Sequence, residues 1–331
     1  MSDISNVSPT VRATYDKPAI EWPTVVLALA GVGLVLFGPF FIYPIFLMKM
    51  MCFALFASSF NLMLGYTGLL SFGHAAFFGM ASYVAAYSAK NLGFTPELAI
   101  LSGVVTGGLL GLAFGLIAIR RMGIYFAMIT LALSQMVYFI ALQWPSFTGG
   151  EDGIQAVPRN HLFGLIDMRS NLAIYCLVVA VFVVGIAVIY RVVHSPFGRI
   201  LVAIRDNESR ATSLGYDAAR YKLIAFVISA SLAGLAGGTK ALVFQVATLT
   251  DVHWSMSGEA ILMTLVGGLG TLLGPIAGAV TIVAMQNYLS DMGSWVTIIQ
   301  GFVFIFCVLV LRDGVAGFLT RMSGKLFGKR G

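Results

Sequence analysis

The sequence predicts an all-α integral membrane protein with about ten transmembrane helices arranged in two inverted halves. Only 10% of the 331 residues are charged and 59% are hydrophobic, whereas soluble domains carry about 25% charged residues. Mean hydropathy is +0.91. Runs without Asp, Glu, Lys or Arg recur at roughly the 20 residues that a membrane helix needs, and the longest extends from Met50 to Ala89. The alternating segments of about ten residues that indicate a transmembrane barrel do not occur.

The charge-free runs divide the chain into a polar tail, 1–22, a transmembrane domain, 23–312, and a basic tail, 313–331. A long outer loop, 144–170, separates five predicted spans from five more. An odd number of spans gives the halves opposite orientations, which is a common transporter plan. The predicted spans are about 24–40, 46–64, 74–89, 97–119, 122–143, 171–190, 221–245, 257–270, 275–290 and 294–311.

Two joints interrupt this pattern, GYTGLLSFGH at 65–74 and VATLTDVHWSMSGE at 246–259. Each precedes a short span rich in small residues. Backbone that is not helical is tolerated at membrane depth where protein or a water-filled cavity satisfies it, so the joints are candidate linings of a translocation path. Close packing of helices, which Gly and Ser also permit, is the alternative. The candidate path residues are Asn61, Gly68, Ser71, His74 and Glu259.

The positive charges predict the orientation. Counting loops alternately from a cytoplasmic tail puts most of the 20 Lys and Arg on one face, and the positive-inside bias makes that face, with both termini, cytoplasmic. The same excess of cytoplasmic Lys and Arg explains the net positive charge of the chain, so no nucleic-acid partner is needed to explain it. The cytoplasmic set is Arg12, Lys17, Arg120, Arg121, Arg191, Arg199, Arg205, Arg210, Arg220, Lys222, Arg312, Arg321, Lys325, Lys329 and Arg330; the outer set is Lys49, Lys90, Arg159 and Arg169.

The longest cytoplasmic segment, 194–222, predicts an amphipathic helix. Ser195 is expected to cap it and Pro196 to be its first residue; the helix should run to Leu214 and end at Gly215, and Asp217 should cap the next span. Such a helix suits either a groove on a partner or the lipid headgroups. Its predicted apolar face comprises Ile200, Leu201, Ile204, Ala211 and Leu214.

Two ionisable residues flank the second joint, Lys240 and Glu259. Charged groups within a membrane domain face a path or one another, so the sequence predicts an ion pair between them, with outward snorkelling as the alternative. His74 has no second spanning histidine that would complete a haem or metal site. A phosphate-binding GxxxxGK loop is missing, and no nucleophile–base pair is legible, so neither a cofactor nor a catalytic residue is predicted.

Five ordered blocks between about 60 and 312 resemble the permeases of branched-chain amino acid ABC transporters, of the LivM type. The blocks are NLMLGYTGLLSFGHAAFFGMASY, RMGIYFAMITLALSQM, FTGGEDGI, SPFGRILVAIRDNESRATSLGYDAARYKLIAFVISASLAGLAGG and GGLGTLLGPIAGA. The resemblance implies a non-hydrolytic subunit in a bacterial inner membrane. It also implies a second, LivH-like permease, two cytoplasmic ATPases and a periplasmic binding protein as partners, besides membrane lipid.

The resemblance further implies that the 195–215 segment couples to an ATPase. Importers often carry an EAA-x3-G pattern there, of which only Ala211 and Gly215 match. The expected coupling residues are Arg199, Ile204, Arg205, Glu208, Ala211 and Gly215. The expected function is ATP-driven import of a small polar solute, most simply a branched-chain or related amino acid. The alternatives are an ion-coupled secondary transporter and a passive channel for a small solute such as urea.

Overall fold

The computed structural model describes residues 43–162, 167–168, 170–289, 293 and 295–310. The tails 1–22 and 313–331 and the predicted span at 24–40 lie outside the described residues. Within the described residues the chain is helical except for loops and two strands of two residues each, which confirms the all-α class. Each predicted span from 46–64 onward coincides with a helix.

The helices follow the charge-free runs closely. Five of them, α1, α3, α4, α6 and α9, are long and apolar enough to cross a membrane. Helices α2, α10, α11 and α12 have 14 to 18 residues, fewer than the roughly 20 of a full crossing. In chain order the helices are α1 (Pro44–Thr67), α2 (His74–Asn91), α3 (Pro96–Ala118), α4 (Ile124–Gln143), α5 (Pro145–Thr148), α6 (Asn171–Val193), α7 (Pro196–Asp206), α8 (Glu208–Ser213), α9 (Ala218–Phe244), α10 (Trp254–Gly267), α11 (Gly274–Tyr288) and α12 (Trp295–Val310).

The centre of the bundle is α9, which packs on α1, α2 and α3. Glycines make the approach of α3 to α9 close: a Cβ added at Gly107 would lie 3.0 Å from the Cα of Gly234. Helix α1 is buried almost throughout, because α6, α9, α10 and α11 surround it. Small residues at contacts are the usual means by which membrane helices approach.

Both predicted joints contain breaks between helices. The first break, 68–73, follows α1, which ends at Gly68 with φ +72°, a left-handed conformation that glycine adopts without strain. The second, 245–253, contains strand β2 (Val246–Ala247) and a 3-10 helix (Leu249–Asp251). Strand β2 pairs antiparallel with β1 (Ile154–Gln155), so the long segment between α5 and α6 is tied to the second break.

The predicted amphipathic helix over 196–214 is wrong in one respect, because it consists of α7 and α8 with a break at Asn207. The Asn207 side chain accepts a hydrogen bond from the backbone N–H of Arg210 at 3.0 Å and caps α8 instead of continuing α7, a local competition typical of Asn. The other predicted signals are confirmed: Ser195 caps α7, Gly215 has φ +92° and Asp217 caps α9.

Candidate functional site

The second break is held by a buried ion pair that joins α9 to the 3-10 helix. Lys240 Nζ lies 2.5 Å from Asp251 Oδ2, and their side chains are 10% and 4% exposed. Thr248 donates to the same oxygen from its backbone N–H at 3.2 Å and from its hydroxyl at 3.0 Å. The carboxylate therefore has three donors, which buried charge requires.

The predicted pairing of Lys240 with Glu259 is therefore wrong. The 3-10 turn brings Asp251 back onto α9, while Glu259, one and a half turns further along in α10, accepts a hydrogen bond from Gln286 Nε2 at 3.2 Å. Asp251 was missed, although Thr248 and Asp251 have the spacing of a capping box, which is legible in sequence.

Each break contacts the helix that follows the other break. Ser257 Oγ in α10 donates to the carbonyl of Phe72 and accepts from the N–H of Ala75, both at 2.8 Å. On the adjacent turn of α2, a Cβ added at Gly79 would lie 2.6 Å from the backbone nitrogen of Val252. The structure thus joins the first break to α10 and the second break to α2.

His74, at the start of α2, is fully buried. Its Nε2 lies 2.8 Å from Ser229 Oγ, and that hydroxyl donates to the carbonyl of Ser59 at 2.5 Å. Because the hydroxyl has one proton, the ring must donate from Nε2. The chain of bonds ties α2, α9 and α1 together at the level of the first break.

Asn61, Gly68 and Ser71 lie at the same end of α1, whereas Glu259 lies near the start of α10. Asn61 is 2% exposed; its Nδ2 donates to the carbonyl of Thr271 at 2.8 Å and its Oδ1 accepts from the N–H of Gly270 at 3.0 Å. Ser71 is buried and accepts from the N–H of Gly73. Gly68 is exposed and Glu259 is half-buried. The structure thus brings Asn61, Ser71 and His74 into helix contacts, and path lining stays a prediction for all five candidates.

The α7–α8 segment is anchored to the membrane helices by charged side chains. Arg205 Nη1 donates to the carbonyl of Gly65 at 2.5 Å, near the end of α1. Glu208 forms a 2.6 Å ion pair with Lys222 of α9, whose side chain is 4% exposed. Lys222 was missed, because only the fold of the segment brings it opposite Glu208.

The predicted coupling residues divide between two surfaces. Ile204 and Ala211 are buried against Ala218 of α9, so this chain covers them itself, whereas Arg199 and Gly215 are exposed. Leu214, predicted on the same apolar face, is 73% exposed, so the break at Asn207 leaves it apart from Ile204 and Ala211.

These residues define a multi-pass helical membrane protein whose buried polar groups concentrate where helices break. Residues 42–310 match the family described as "Branched-chain amino acid transport system / permease component". The chain belongs to this family, which confirms the predicted resemblance, and it is a non-catalytic transmembrane permease component of an ABC transport system.

Individual relatives agree with the family. The chain is 28% identical to the high-affinity branched-chain amino acid transport system permease protein LivM of Salmonella typhimurium, over 80% of this chain and 68% of the relative. It is also 28% identical to the LivM protein of Escherichia coli, with the same coverage. It is 25% identical to a probable LivH permease of Methanocaldococcus jannaschii, over 64% of this chain and 69% of the relative. No solved structure matches the chain.

Proposed function

We propose that this chain forms, together with a second permease subunit, the translocation path of an ATP-driven importer of branched-chain or related amino acids. The match of residues 42–310 to the permease family carries the proposal. Two cytoplasmic ATPases supply the energy and a periplasmic binding protein delivers the solute. The similarity to both LivM and LivH proteins supports a related permease as the partner.

The proposed topology is the one that the distribution of Lys and Arg predicts. The chain lies in a bacterial plasma membrane with both termini on the cytoplasmic side, and its two halves are inverted. Packing supports the inversion. Helices α2 and α3 contact one another and α9, while α10 and α11 contact one another and α1. If α1 and α9 are equivalent, the two helices that follow α1 pack on α9 and the two that follow α9 pack on α1, as a twofold axis in the membrane plane requires.

The path itself is assigned to the face between the two permeases. Two clefts among the described residues, one beside Arg159 and Leu242 and one beside Cys52 and Val178, are shallow and have room for about one water molecule or less, far below the size of a solute site. A path shared with a second subunit needs no enclosed cavity in one chain. Glu259 and Gly68 are the candidates that the described chain leaves accessible; Asn61, Ser71 and His74 set the shape of the breaks beside them.

The α7–α8 segment is proposed to couple ATP-driven closure of the ATPases to this path. The exposed side of the segment carries Arg199 and Gly215. Its inner side contacts α1 through the hydrogen bond from Arg205 to the carbonyl of Gly65. From α1 the connection continues through Asn61 to the 268–273 loop, which joins α10 to α11. Movement of the α7–α8 segment would thereby be transmitted to α1 in one half and to α10 and α11 in the other. Opening the path alternately to the two sides of the membrane follows from such movement.

The assembly is tested by purifying the tagged chain from its native membranes in mild detergent and identifying the proteins that accompany it by mass spectrometry. A second permease and two ATPases in comparable amounts are expected. A chain recovered alone or only as a homo-oligomer would contradict the importer and favour the secondary transporter or the channel.

Replacing Arg205 by Gln should uncouple transport. Hydrogen bonds from charged groups contribute about 1.5–3 kcal/mol, so loss of the bond to Gly65 should lower ATP-driven uptake by about tenfold or more, while ATP hydrolysis by the purified complex persists. Arg191→Gln is the matched control, because Arg191 is exposed in the last turn of α6, outside the α7–α8 segment. Equal uptake by both variants would remove Arg205 from the coupling route.

A further inference from the structure

Helix α9 carries a buried lysine near each of its ends, and each lysine is paired with a carboxylate from outside the helix. Lys222 Nζ, in the second turn, lies 2.6 Å from Glu208 Oε2 of α8. Lys240 Nζ, near the other end, lies 2.5 Å from Asp251 Oδ2 of the second break. The side chains of the two lysines are 4% and 10% exposed. Because burial removes an ammonium from water, each lysine needs its carboxylate, whereas exposed pairs contribute little.

The pair with Lys222 fixes the position of α8 along α9. Beside it, Ala211 of α8 and Ala218 of α9 belong to one buried apolar cluster with Ile204. Apolar contacts are non-directional and allow small side chains to slide, whereas a charge-assisted hydrogen bond depends on distance and direction. The ion pair therefore sets the register between α8 and α9.

A break in the α7–α8 segment separates this connection from the one that Arg205 makes. Arg205 lies two residues before Asn207 and bonds to the end of α1, whereas Glu208 follows Asn207 directly and bonds to α9. The backbone at Asn207 is extended, with φ −159° and ψ 96°, so no continuous helix joins the two charged side chains. The segment thus has separate attachments to α1 and to α9.

Helix α9 reaches from this segment to the second break without interruption. It comprises 27 residues, Ala218–Phe244, and the stretch from Lys222 to Lys240 spans about 27 Å at 1.5 Å per residue. Along its length α9 packs on α1, α2 and α3. A displacement of α8 that the first ion pair passes to α9 would therefore reach the second break through the ion pair of Lys240 with Asp251.

We propose that Lys222 is a positioning residue of the transport cycle: its ion pair with Glu208 makes α9 follow α8, and α9 carries the movement to the second break through Lys240. This inference rests on the proposed function, in which the α7–α8 segment receives the movement of the ATPases. It adds a route through α9 to the route through Arg205 and α1.

The test compares variants of the assembled complex in liposomes that enclose ATP, with the binding protein outside. The quantity measured is the number of L-leucine molecules taken up per ATP hydrolysed. The double variant Glu208→Ala, Lys222→Met removes the contact and leaves no unpaired charge buried, so its apparent Tm should stay close to that of the parent. Its uptake per ATP should nevertheless fall about tenfold or more.

Three further variants complete this comparison. Lys222→Arg keeps a cation opposite Glu208 and should retain the uptake per ATP. Arg220→Gln is the matched control, because it breaks an exposed pair with Asp217 at the same end of α9, and it should leave the ratio unchanged. Glu208→Gln keeps a neutral acceptor and should lower the ratio severalfold, which provides the test if the double variant does not assemble. The parent's ratio in the double variant or in Glu208→Gln would overturn the role of Lys222.

Movement at the far end of α9 is measured at Thr250, which is exposed in the second break. Thr250→Cys is introduced with Cys52, Cys176 and Cys307 replaced by Ser, and labelling by a membrane-impermeant maleimide is compared without nucleotide and with ATP and vanadate. The labelling rate should change in the parent and stay constant in the double variant; an equal change in both would overturn the route through α9. Failure of the parent complex to take up L-leucine would instead count against the proposed function.

Discussion

Replacing Lys240 by Met is expected to destabilise the protein by about 3–5 kcal/mol, because it leaves the Asp251 carboxylate buried without its cation. The carboxylate is 4% exposed and keeps only the two donors of Thr248. The 3-10 helix that returns the chain from α9 to α10 should therefore open. The measurement is the apparent Tm of the detergent-solubilised protein, which should fall by several degrees.

Two variants separate charge from packing in this prediction. The double variant Lys240→Met, Asp251→Leu removes both charges and should recover a large part of the loss, since buried pairs are often replaceable by apolar groups. Arg220→Gln breaks an exposed pair with Asp217, whose side chains are 83% and 51% exposed, and should cost no more than about 1 kcal/mol. Equal effects of Lys240→Met and Arg220→Gln would refute a structural role for the buried pair.

The second large effect is expected at the contact between α3 and α9. A Cβ at Gly107 would lie 2.5 Å from the carbonyl oxygen of Ala230 and 3.0 Å from the Cα of Gly234. Both obstacles are backbone, which cannot rotate away. Gly107→Val should therefore force α3 from α9 and cost about 3 kcal/mol or more, seen as a loss of monodisperse protein in detergent.

Gly301→Ala is the matched control for Gly107→Val. Gly301 lies in α12, and an added Cβ meets nothing within 4 Å. The substitution should therefore be neutral, or raise stability by about 0.4–1 kcal/mol because alanine lowers the conformational entropy of the unfolded chain. Normal yield of the Gly107→Val protein would show that the α3–α9 contact is looser than described.

Local chemistry accounts for the features of the fold that were predicted correctly. Caps and stops depend on a few adjacent residues, so Ser195, Gly215 and Asp217 are legible in the sequence. Asn207 uses the same local chemistry, but the apolar periodicity on either side of it argued for one continuous helix. The repeat of glycine at every fourth position, Gly103 to Gly115, was a readable sign of the close α3–α9 contact.

Partners distant in sequence account for what was missed. Ser229 lies in an apolar run and Ser257 in the second joint, and nothing near either residue in sequence indicates that they bond to the Ser59 and Phe72 carbonyls. The predicted partner of Lys240 was the nearest carboxylate expected in a span, Glu259. The carboxylate it binds instead is in the turn between spans, because a 3-10 turn folds that loop back onto α9.

Uptake of radiolabelled L-leucine into liposomes tests whether the chain is one subunit of an ATP-driven importer. Liposomes would contain this chain, its co-purifying permease and ATPases, with the binding protein outside and ATP enclosed. The importer assignment predicts uptake that requires ATP, the binding protein and both permeases. Uptake by this chain alone without ATP, driven by an ion gradient or by the leucine gradient itself, would contradict it.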